Sequence, residues 1–168
     1  CNMIQTVETD RFRLIPPSMD CLPAYEQFYM DAAASKMYGG PLDKAQVLAR
    51  LKADLGSWYL MGFGVWVIQS KEDNSYLGTC GFWQGADWPT ELTWWVTSEA
   101  RGKGVATETS IAAIKFAYNE WQWQKVETYM NDENDAARAL VEKLGGKKVR
   151  REPFPDGLSR DIYLLPKP

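Results

Sequence analysis

The chain has 168 residues, a formal net charge of −3 and 45% apolar residues. This length suits one domain with a sizeable core, so we expect a single domain over 1–168. No apolar run reaches the roughly 18 residues of a membrane span, and the slight acidity gives no general reason to bind nucleic acid. The chain contains no histidine, which excludes serine, cysteine and metal chemistry that depends on an imidazole.

The three cysteines, Cys1, Cys21 and Cys80, are odd in number and show no metal-binding or redox spacing. Reduced thiols are therefore the expected state. Residues 1–14 contain no apolar segment of the kind found in a secretory signal. We expect a cytoplasmic protein without a metal ion or a membrane partner, and either a monomer or a homodimer.

The first half of the chain predicts one strand, two helices and three further strands. Pro16 ends the first apolar run, because proline cannot donate to a strand ladder. Ser18 and Asp43 are favoured N-cap residues, and each precedes a stretch with helical character. The predicted elements are a strand at 11–15, helices at 19–31 and 44–55, and strands at 63–69, 75–84 and 91–97.

The second half alternates between helices and strands. Gly145 follows the late helical pattern and is a typical C-terminal signal, and residues 155–157 are typical of a hairpin turn. The predicted elements are a helix from Lys103 or Gly104 to Trp121, a strand at 125–130, a helix at 134–144 and hairpin strands at 148–152 and 160–165. The order β-α-α-β-β-β-α-β-α-β-β predicts a single-domain α/β protein whose mixed sheet has helices on both faces.

The run Arg101-Gly-Lys-Gly-Val-Ala106 is the clearest chemical signal in the sequence. It follows a predicted strand and opens a predicted helix, where free backbone N–H groups and the helix dipole favour an anion. Gly102 and Gly104 allow a phosphate or pyrophosphate to approach the backbone closely. Arg101 and Lys103 add positive charge beside this turn.

The turn departs from two known phosphate-binding motifs. Lys103 is followed by Gly104 rather than by Ser or Thr, which excludes a Walker loop. Thr107 takes the place of the third glycine of a dinucleotide fingerprint. Spacing alone therefore leaves two interpretations: an anion site, or a glycine turn with two solvated cations.

Several segments together resemble the GNAT superfamily of N-acetyltransferases, most closely its branch of ribosomal-protein N-terminal alanine acetyltransferases. They occur in the expected order and span nearly the whole chain. The resemblance implies a mixed, mostly antiparallel sheet, and transfer of an acetyl group from acetyl-CoA to a primary amine. The segments are Glu8–Leu14, Tyr76–Phe82, Glu91–Val96, Arg101–Glu108, Asn134–Arg138 and Glu142–Gly145.

The resemblance also implies which residues bind acetyl-CoA. The amides of the glycine turn would hold the pyrophosphate, and the backbone of the preceding strand would pair with the pantetheine arm. Asn134 would contact the pantetheine region, although asparagine is also a favoured helix cap and the two roles are equally weighted. The implied residues are Trp94, Trp95, Val96, Arg101, Gly102, Lys103, Gly104, Val105, Ala106, Asn134 and Arg138.

Glu91 is the candidate catalytic base. Strand alternation places Glu91, Thr93 and Trp95 on one face and the intervening residues on the other. A carboxylate that enters the strand implied to bind the thioester can reach an amine directly or through water. The alternative is an exposed glutamate at a strand end.

Other groups are weaker candidates or are missing. Carboxylates in polar turns are expected to be solvated, and these are Asp87, Asp132 and Glu133. Val141 stands where many relatives outside this branch carry a tyrosine that is proposed to protonate the leaving thiolate. Water, another hydroxyl or the substrate's own proton would replace that tyrosine.

Aromatic residues are expected to line the acceptor site, and the candidates are Tyr38, Trp83 and Trp88. Core packing is the alternative for any single ring. The acceptor is expected to be a protein N-terminal α-amine or a small molecule such as a polyamine, an amino acid or an aminoglycoside. A non-catalytic acyl-CoA-binding module and an unrelated nucleotide-binding protein are the remaining alternatives.

Overall fold

The structure, a computed structural model, describes residues 4–168, so Cys1 lies outside the described residues. Short 3-10 turns occur at Met19–Cys21, Lys36–Tyr38 and Ser98–Ala100. No helix in this part of the chain is long and apolar enough to cross a membrane. The helices are α1 (Leu22–Tyr29), α2 (Ala32–Ser35), α3 (Lys44–Met61), α4 (Val105–Asn119) and α5 (Asp135–Lys143). The strands are β1 (Val7–Glu8), β2 (Phe12–Ile15), β3 (Val65–Ser70), β4 (Tyr76–Trp83), β5 (Glu91–Val96), β6 (Val126–Tyr129), β7 (Lys147–Pro153) and β8 (Ser159–Leu165).

The strands form two sheets, with the orders β1-β2-β3-β4-β5 and β6-β8-β7. Every pairing within them is antiparallel. β5 and β6 lie next to each other at the junction of the sheets, where the Thr128 hydroxyl donates a 2.8 Å hydrogen bond to the Leu92 carbonyl. The expected mostly antiparallel α/β fold is confirmed, but two sheets replace the single expected sheet.

Helices cover both faces of the first sheet. On one face Leu92, Trp94 and Val96 pack in a core cluster with residues of α4. On the other face Trp95 stacks on Phe28 of α1 with a centroid distance of 4.4 Å, in a second cluster that includes part of α3. Both the helical cover and the predicted alternation along β5 are therefore confirmed.

The predicted bounds of two helices were wrong. The first helix ends at Tyr29 rather than at residue 31, and the short helix α2, which Asp31 caps by accepting a 3.0 Å hydrogen bond from the Ala34 amide, was not predicted. The second helix continues past Gly56 to Met61 and is capped by Gly62, which has a φ of +79°. One internal glycine costs only about 1 kcal/mol, and the buried Trp58 helps to hold this last turn by donating to the Val65 carbonyl.

Candidate active site

The glycine turn has the backbone geometry that its sequence predicts. Gly102 and Gly104 have φ values of +74° and +75°, and Gly104 is the N-cap residue of α4. Residues 101–104 are exposed. The N–H groups in the first turn of a helix have no carbonyl partner within that helix, so they face solvent or a ligand. This arrangement suits a pyrophosphate.

Hydrogen bonds from the β1–β2 hairpin hold the glycine turn in place. The Glu108 carboxylate accepts hydrogen bonds from the Thr9 hydroxyl at 2.6 Å, the Arg11 amide at 2.9 Å and the Arg11 Nε at 2.7 Å. Arg11 Nη1 also donates to the Lys103 carbonyl at 2.9 Å. Sequence reasoning did not find this contact, because Thr9 and Arg11 are almost a hundred residues from Glu108.

The two cations of the turn differ in position. The Arg101 guanidinium donates a 3.3 Å hydrogen bond to the Ala34 carbonyl in α2, and its charge acts on the Tyr38 hydroxyl. Arg101 therefore contacts the helical segment before the first sheet, whereas the Lys103 side chain is exposed and has no such contact among the hydrogen bonds of residues 4–168. The expectation that both charges stand beside an anion stays a prediction.

β5 provides an open edge. One edge pairs with β4, with Trp95 opposite Thr79 and Val96 opposite Gly78, and β5 is the last strand of its sheet. An added extended chain can pair with such an edge strand. The geometry thus suits the arm of a CoA ester along Trp94–Val96.

A cavity of about 540 Å³ lies between the two sheets and the helical segment before them. Val96, the glycine turn and Arg138 do not border it. Seven of the predicted site residues line the cavity: Tyr38, Trp83, Trp88, Glu91, Trp94, Trp95 and Asn134.

The two predicted α5 residues are held differently. Asn134 caps the helix, since its Oδ1 accepts a 3.1 Å hydrogen bond from the Ala137 amide. It also lines the cavity, so the cap and the pantetheine contact are compatible. Arg138 is paired with Asp135 at 2.8 Å and donates to the Asp132 carbonyl, and its role toward CoA stays a prediction.

Glu91 is the first residue of β5 and is half-buried in the cavity wall. Burial raises the pKa of its carboxyl to about 8, while the charges of Arg160 and Arg50 oppose that increase. This pKa is close to the ordinary pKa of an α-amine, which is about 8. Similar proton affinities favour transfer from such an amine to Glu91.

Arg50 and Asp54 of α3 line the cavity and were missed by sequence reasoning. Asp54 accepts a 2.6 Å hydrogen bond from the Tyr25 hydroxyl, and burial raises its pKa to about 6 against the opposing charge of Arg50. Their spacing by four residues, within the apolar stripe of Val47 and Leu51, is a signal that could have revealed them.

Arg160 is the other missed residue. It is buried, and both of its terminal nitrogens bind the Asp156 carboxylate, at 3.0 and 2.6 Å. Its guanidinium lies 5.1 Å from the ring centroid of Trp88 and 5.0 Å from that of Phe154. The β7–β8 hairpin thus fixes one wall of the cavity.

Cys80 is buried in β4, with its Sγ 3.7 Å from the Ser110 hydroxyl. Burial raises the pKa of this thiol to about 11. Cys80 does not line the cavity. Within residues 4–168, no group of three acidic or cysteine side chains is arranged to hold a metal ion.

Comparison with known proteins identifies the family. The family described as the acetyltransferase (GNAT) domain matches residues 11–147, and the chain belongs to it. The uncharacterized protein YkkB of Bacillus subtilis (strain 168) is 26% identical over 150 residues, which cover 85% of this chain and 87% of YkkB. The crystal structure of an acetyltransferase from Agrobacterium tumefaciens str. C58 has a TM-score of 0.87 and 27% identity, covering 96% of this chain and 94% of that one.

More distant structures share the fold. The RimL ribosomal L7/L12 alpha-N-protein acetyltransferase has a TM-score of 0.79 at 11% identity, with coverage of 95% of this chain and 93% of that one. A RimL complex with coenzyme A has a TM-score of 0.76 at 10% identity, with coverage of 97% and 99%. This likeness shows the fold alone. Membership of the GNAT family makes the chain an acetyltransferase, with acetyl-CoA as the co-substrate and an amine as the acceptor.

Proposed function

We propose that this protein transfers the acetyl group of acetyl-CoA directly to a primary amine bound in the cavity, with Glu91 as the base. The observation that carries the proposal is the position of Glu91, in the cavity wall at the start of edge strand β5. In this arrangement the glycine turn binds the pyrophosphate and the open edge of β5 binds the pantetheine arm.

The acceptor must lose a proton before it can attack. The ionised carboxylate of Glu91 accepts that proton, directly or through a water molecule. The amine nitrogen then bonds to the thioester carbon, and the bond from carbon to sulfur breaks. Acetyl-CoA supplies an activated acyl group, so the remaining task of the protein is to orient the reactants and to stabilise the oxyanion with a β5 amide.

The leaving thiolate has no tyrosine partner at position 141. Val141 is fully buried in the core, and valine carries no proton donor. We infer that the thiolate takes its proton from water or from the proton that the amine has released. An acyl-enzyme on Cys80 is disfavoured, because a buried thiol with a raised pKa is a poor nucleophile.

The acceptor is a protein N-terminal α-amine or the amine of a small molecule. The sequence resemblance to the N-terminal alanine branch supports the first, and the lining of the cavity by side chains of α3 and of the β7–β8 hairpin supports a compact ligand. A cytoplasmic location and a monomeric or dimeric state remain expectations.

An acceptor screen tests the proposal. Purified protein is incubated with acetyl-CoA and an amine, and release of the CoA thiol is measured. The panel contains peptides beginning with Ala or Ser, amino acids, aminoglycosides and polyamines. Thiol release that depends on an amine supports the enzyme, whereas CoA binding without release for any amine would indicate a binding module.

A further inference from the structure

We propose that the acceptor amine also carries an anionic group, a carboxylate or a phosphate, which Arg50 binds. This inference rests on the proposed function, since it names the class of amine that the same cavity accepts. It follows from the partners of Arg50, the charges of the cavity wall and the position of Arg50 relative to Glu91.

Arg50 is half-buried in the cavity wall. Its guanidinium lies 5.6 Å from the ring centroid of Tyr29 and 5.3 Å from that of Trp83. Among the residues that the structure describes, no carboxylate lies within 4.0 Å of it to form an ion pair. Arg160, in contrast, is bound by Asp156 through two hydrogen bonds. A guanidinium held between aromatic rings without a paired carboxylate is well suited to bind an anion.

The charges of the cavity wall are compatible with the same class of ligand. The cationic side chains are Lys36, Arg50 and Arg160, and the carboxyl side chains are Asp54, Glu91 and Asp156. With Glu91 ionised, as a base must be, these charges balance. An amine with its own anion adds no net charge to such a wall, whereas a polyamine adds positive charge that no further carboxylate of the wall compensates.

The positions of Arg50 and Glu91 also limit the spacing within the ligand. The Arg50 guanidinium lies 5.3 Å from the ring centroid of Trp83, and Trp83 is the residue of β4 directly opposite Glu91. An amine at Glu91 and an anion at Arg50 must therefore be joined by a short spacer. The ligand is an amino-acid-like or phosphate-bearing small amine, or a peptide terminus with an acidic second residue.

Matched ligand pairs test the inference by calorimetry on the protein saturated with CoA. The pairs are β-alanine and β-alaninamide, O-phosphoethanolamine and ethanolamine, and alanyl-glutamate amide and alanyl-glutamine amide. We expect the anionic member of at least one pair to bind about 10- to 100-fold more tightly, as for a charged hydrogen bond. The pair with the largest ratio identifies a carboxylate, a phosphate or an acidic peptide.

Variants of Arg50 assign that preference to its side chain. Arg50→Gln should bring the affinity ratio of the best pair close to one, and Arg50→Lys should retain part of it because the charge is kept. Arg13→Gln is the matched control, since Arg13 lies on β2 and hydrogen-bonds Asn74 at 3.1 Å, away from the cavity. It should leave the ratio unchanged.

The possible failures can be told apart. Equal affinities within every pair, or no binding by any anionic member, would overturn the inference even if Arg50→Gln failed to fold. Thiol release with neutral amines alone would overturn it and leave the proposed function intact. Anion binding that requires Arg50, without thiol release for any amine, would overturn the proposed function and leave the anion site.

Discussion

Two guanidiniums act on Glu91, one from Arg50 of α3 and one from Arg160 of β8. Burial outweighs both, because the pKa of the carboxyl is raised and not lowered. The resulting value of about 8 is much closer to that of an α-amine, about 8, than to that of a lysine side chain, about 10.4. The site therefore favours an amine that loses its proton readily.

The first prediction concerns catalysis by Glu91. The base works in its ionised form, so kcat/KM should rise with pH and level off near the pKa of about 8. Glu91→Gln keeps the size of the side chain but removes its basicity, and should lower kcat/KM by about 10²–10⁴-fold. The loss should shrink at higher pH, where more of the amine arrives without its proton. Rates over a pH series measure both effects.

Asp87→Asn is the control for that measurement. Asp87 is exposed and does not line the cavity, and asparagine tolerates its φ of +65°. This variant should keep kcat/KM within about threefold of the wild type. A Glu91→Gln enzyme with the same small change would remove Glu91 as the base.

The second prediction concerns stability against pH. Glu91 and Asp54 have pKa values of about 8 and about 6 in the folded protein, above the ordinary values of about 4.3 and 3.9. The folded state then binds these protons more tightly than the unfolded state, so stability is greatest below the ordinary values. It falls as pH rises toward about 6 for Asp54 and about 8 for Glu91.

Thermal unfolding at several pH values measures that fall. The Glu91→Gln variant should lose the decline in stability between pH about 6 and about 8, and it should retain the decline below pH about 6 that Asp54 contributes. The variant serves as the reference for all other titrating groups. If the melting temperature of the wild type, relative to that of Glu91→Gln, rises between pH about 6 and about 8, the raised pKa of Glu91 is contradicted.

At the scale of elements, the glycine turn depends on backbone conformation. Gly104 lies in the left-handed region, and a Cβ atom placed there would be 3.3 Å from Arg11 Nη2, the end of a flexible side chain. The main cost of a substitution at Gly104 therefore comes from backbone strain at its positive φ, and not from a steric clash. That conformation directs the first N–H groups of α4 toward an anion.

The third prediction compares two glycines with the same type of backbone. Gly104→Ala and Gly157→Ala each place a side chain at a positive φ, +75° and +85°, and each should lower the free energy of unfolding by about 1–2 kcal/mol. Only Gly104→Ala should also weaken CoA binding, because Gly157 lies in the β7–β8 turn with no atom within 4 Å of its Cβ position. Calorimetric titration with CoA decides the result, and equal affinities for both variants would exclude the turn as the CoA site.

The sequence predicted elements whose signals are local. Gly102 and Gly104 marked the turn, and alternation from Glu91 to Val96 placed the faces of β5 correctly. Helix α2 was missed, because its four residues are too few to show a helical pattern. The side chains of Arg50 and Arg160 could not be assigned to one cavity, since α3 and β8 meet only through tertiary packing.

For the whole molecule, the fold combines the glycine turn, which is proposed to bind the pyrophosphate, with the open edge of strand β5. The fourth prediction is that CoA and acetyl-CoA raise the melting temperature, since a ligand that binds only the folded state stabilises it by about 2.7 kcal/mol at 100 times its Kd. ATP should raise it less, because it carries phosphates without a pantetheine arm for β5. An equal shift with ATP would show that β5 contributes nothing to binding.

The separation of the sheets was beyond the reach of sequence patterns. A local pattern of residues predicts that a strand is present but not which strand it pairs with. The pairing of β6 with β8 joins residues such as Val126 and Leu165 that are far apart in the chain. Nothing local to residues 91–96 or 126–129 indicates that β5 and β6 remain unpaired. The cavity exists because of this long-range arrangement.

The hydrogen bonds from Thr9 and Arg11 to Glu108 make the amino-terminal segment a structural part of the proposed coenzyme site. This segment borders neither the cavity nor the open edge of β5. It nevertheless fixes the turn that is proposed to bind the pyrophosphate. A shortened protein that starts after residue 11 would keep every residue of the acceptor cavity and still bind CoA poorly. Hydrogen exchange of the backbone amides in β1 and β2 should also slow when CoA is bound. The exchange rate of these amino-terminal strands would then measure whether CoA occupies a site that the strands themselves do not contact.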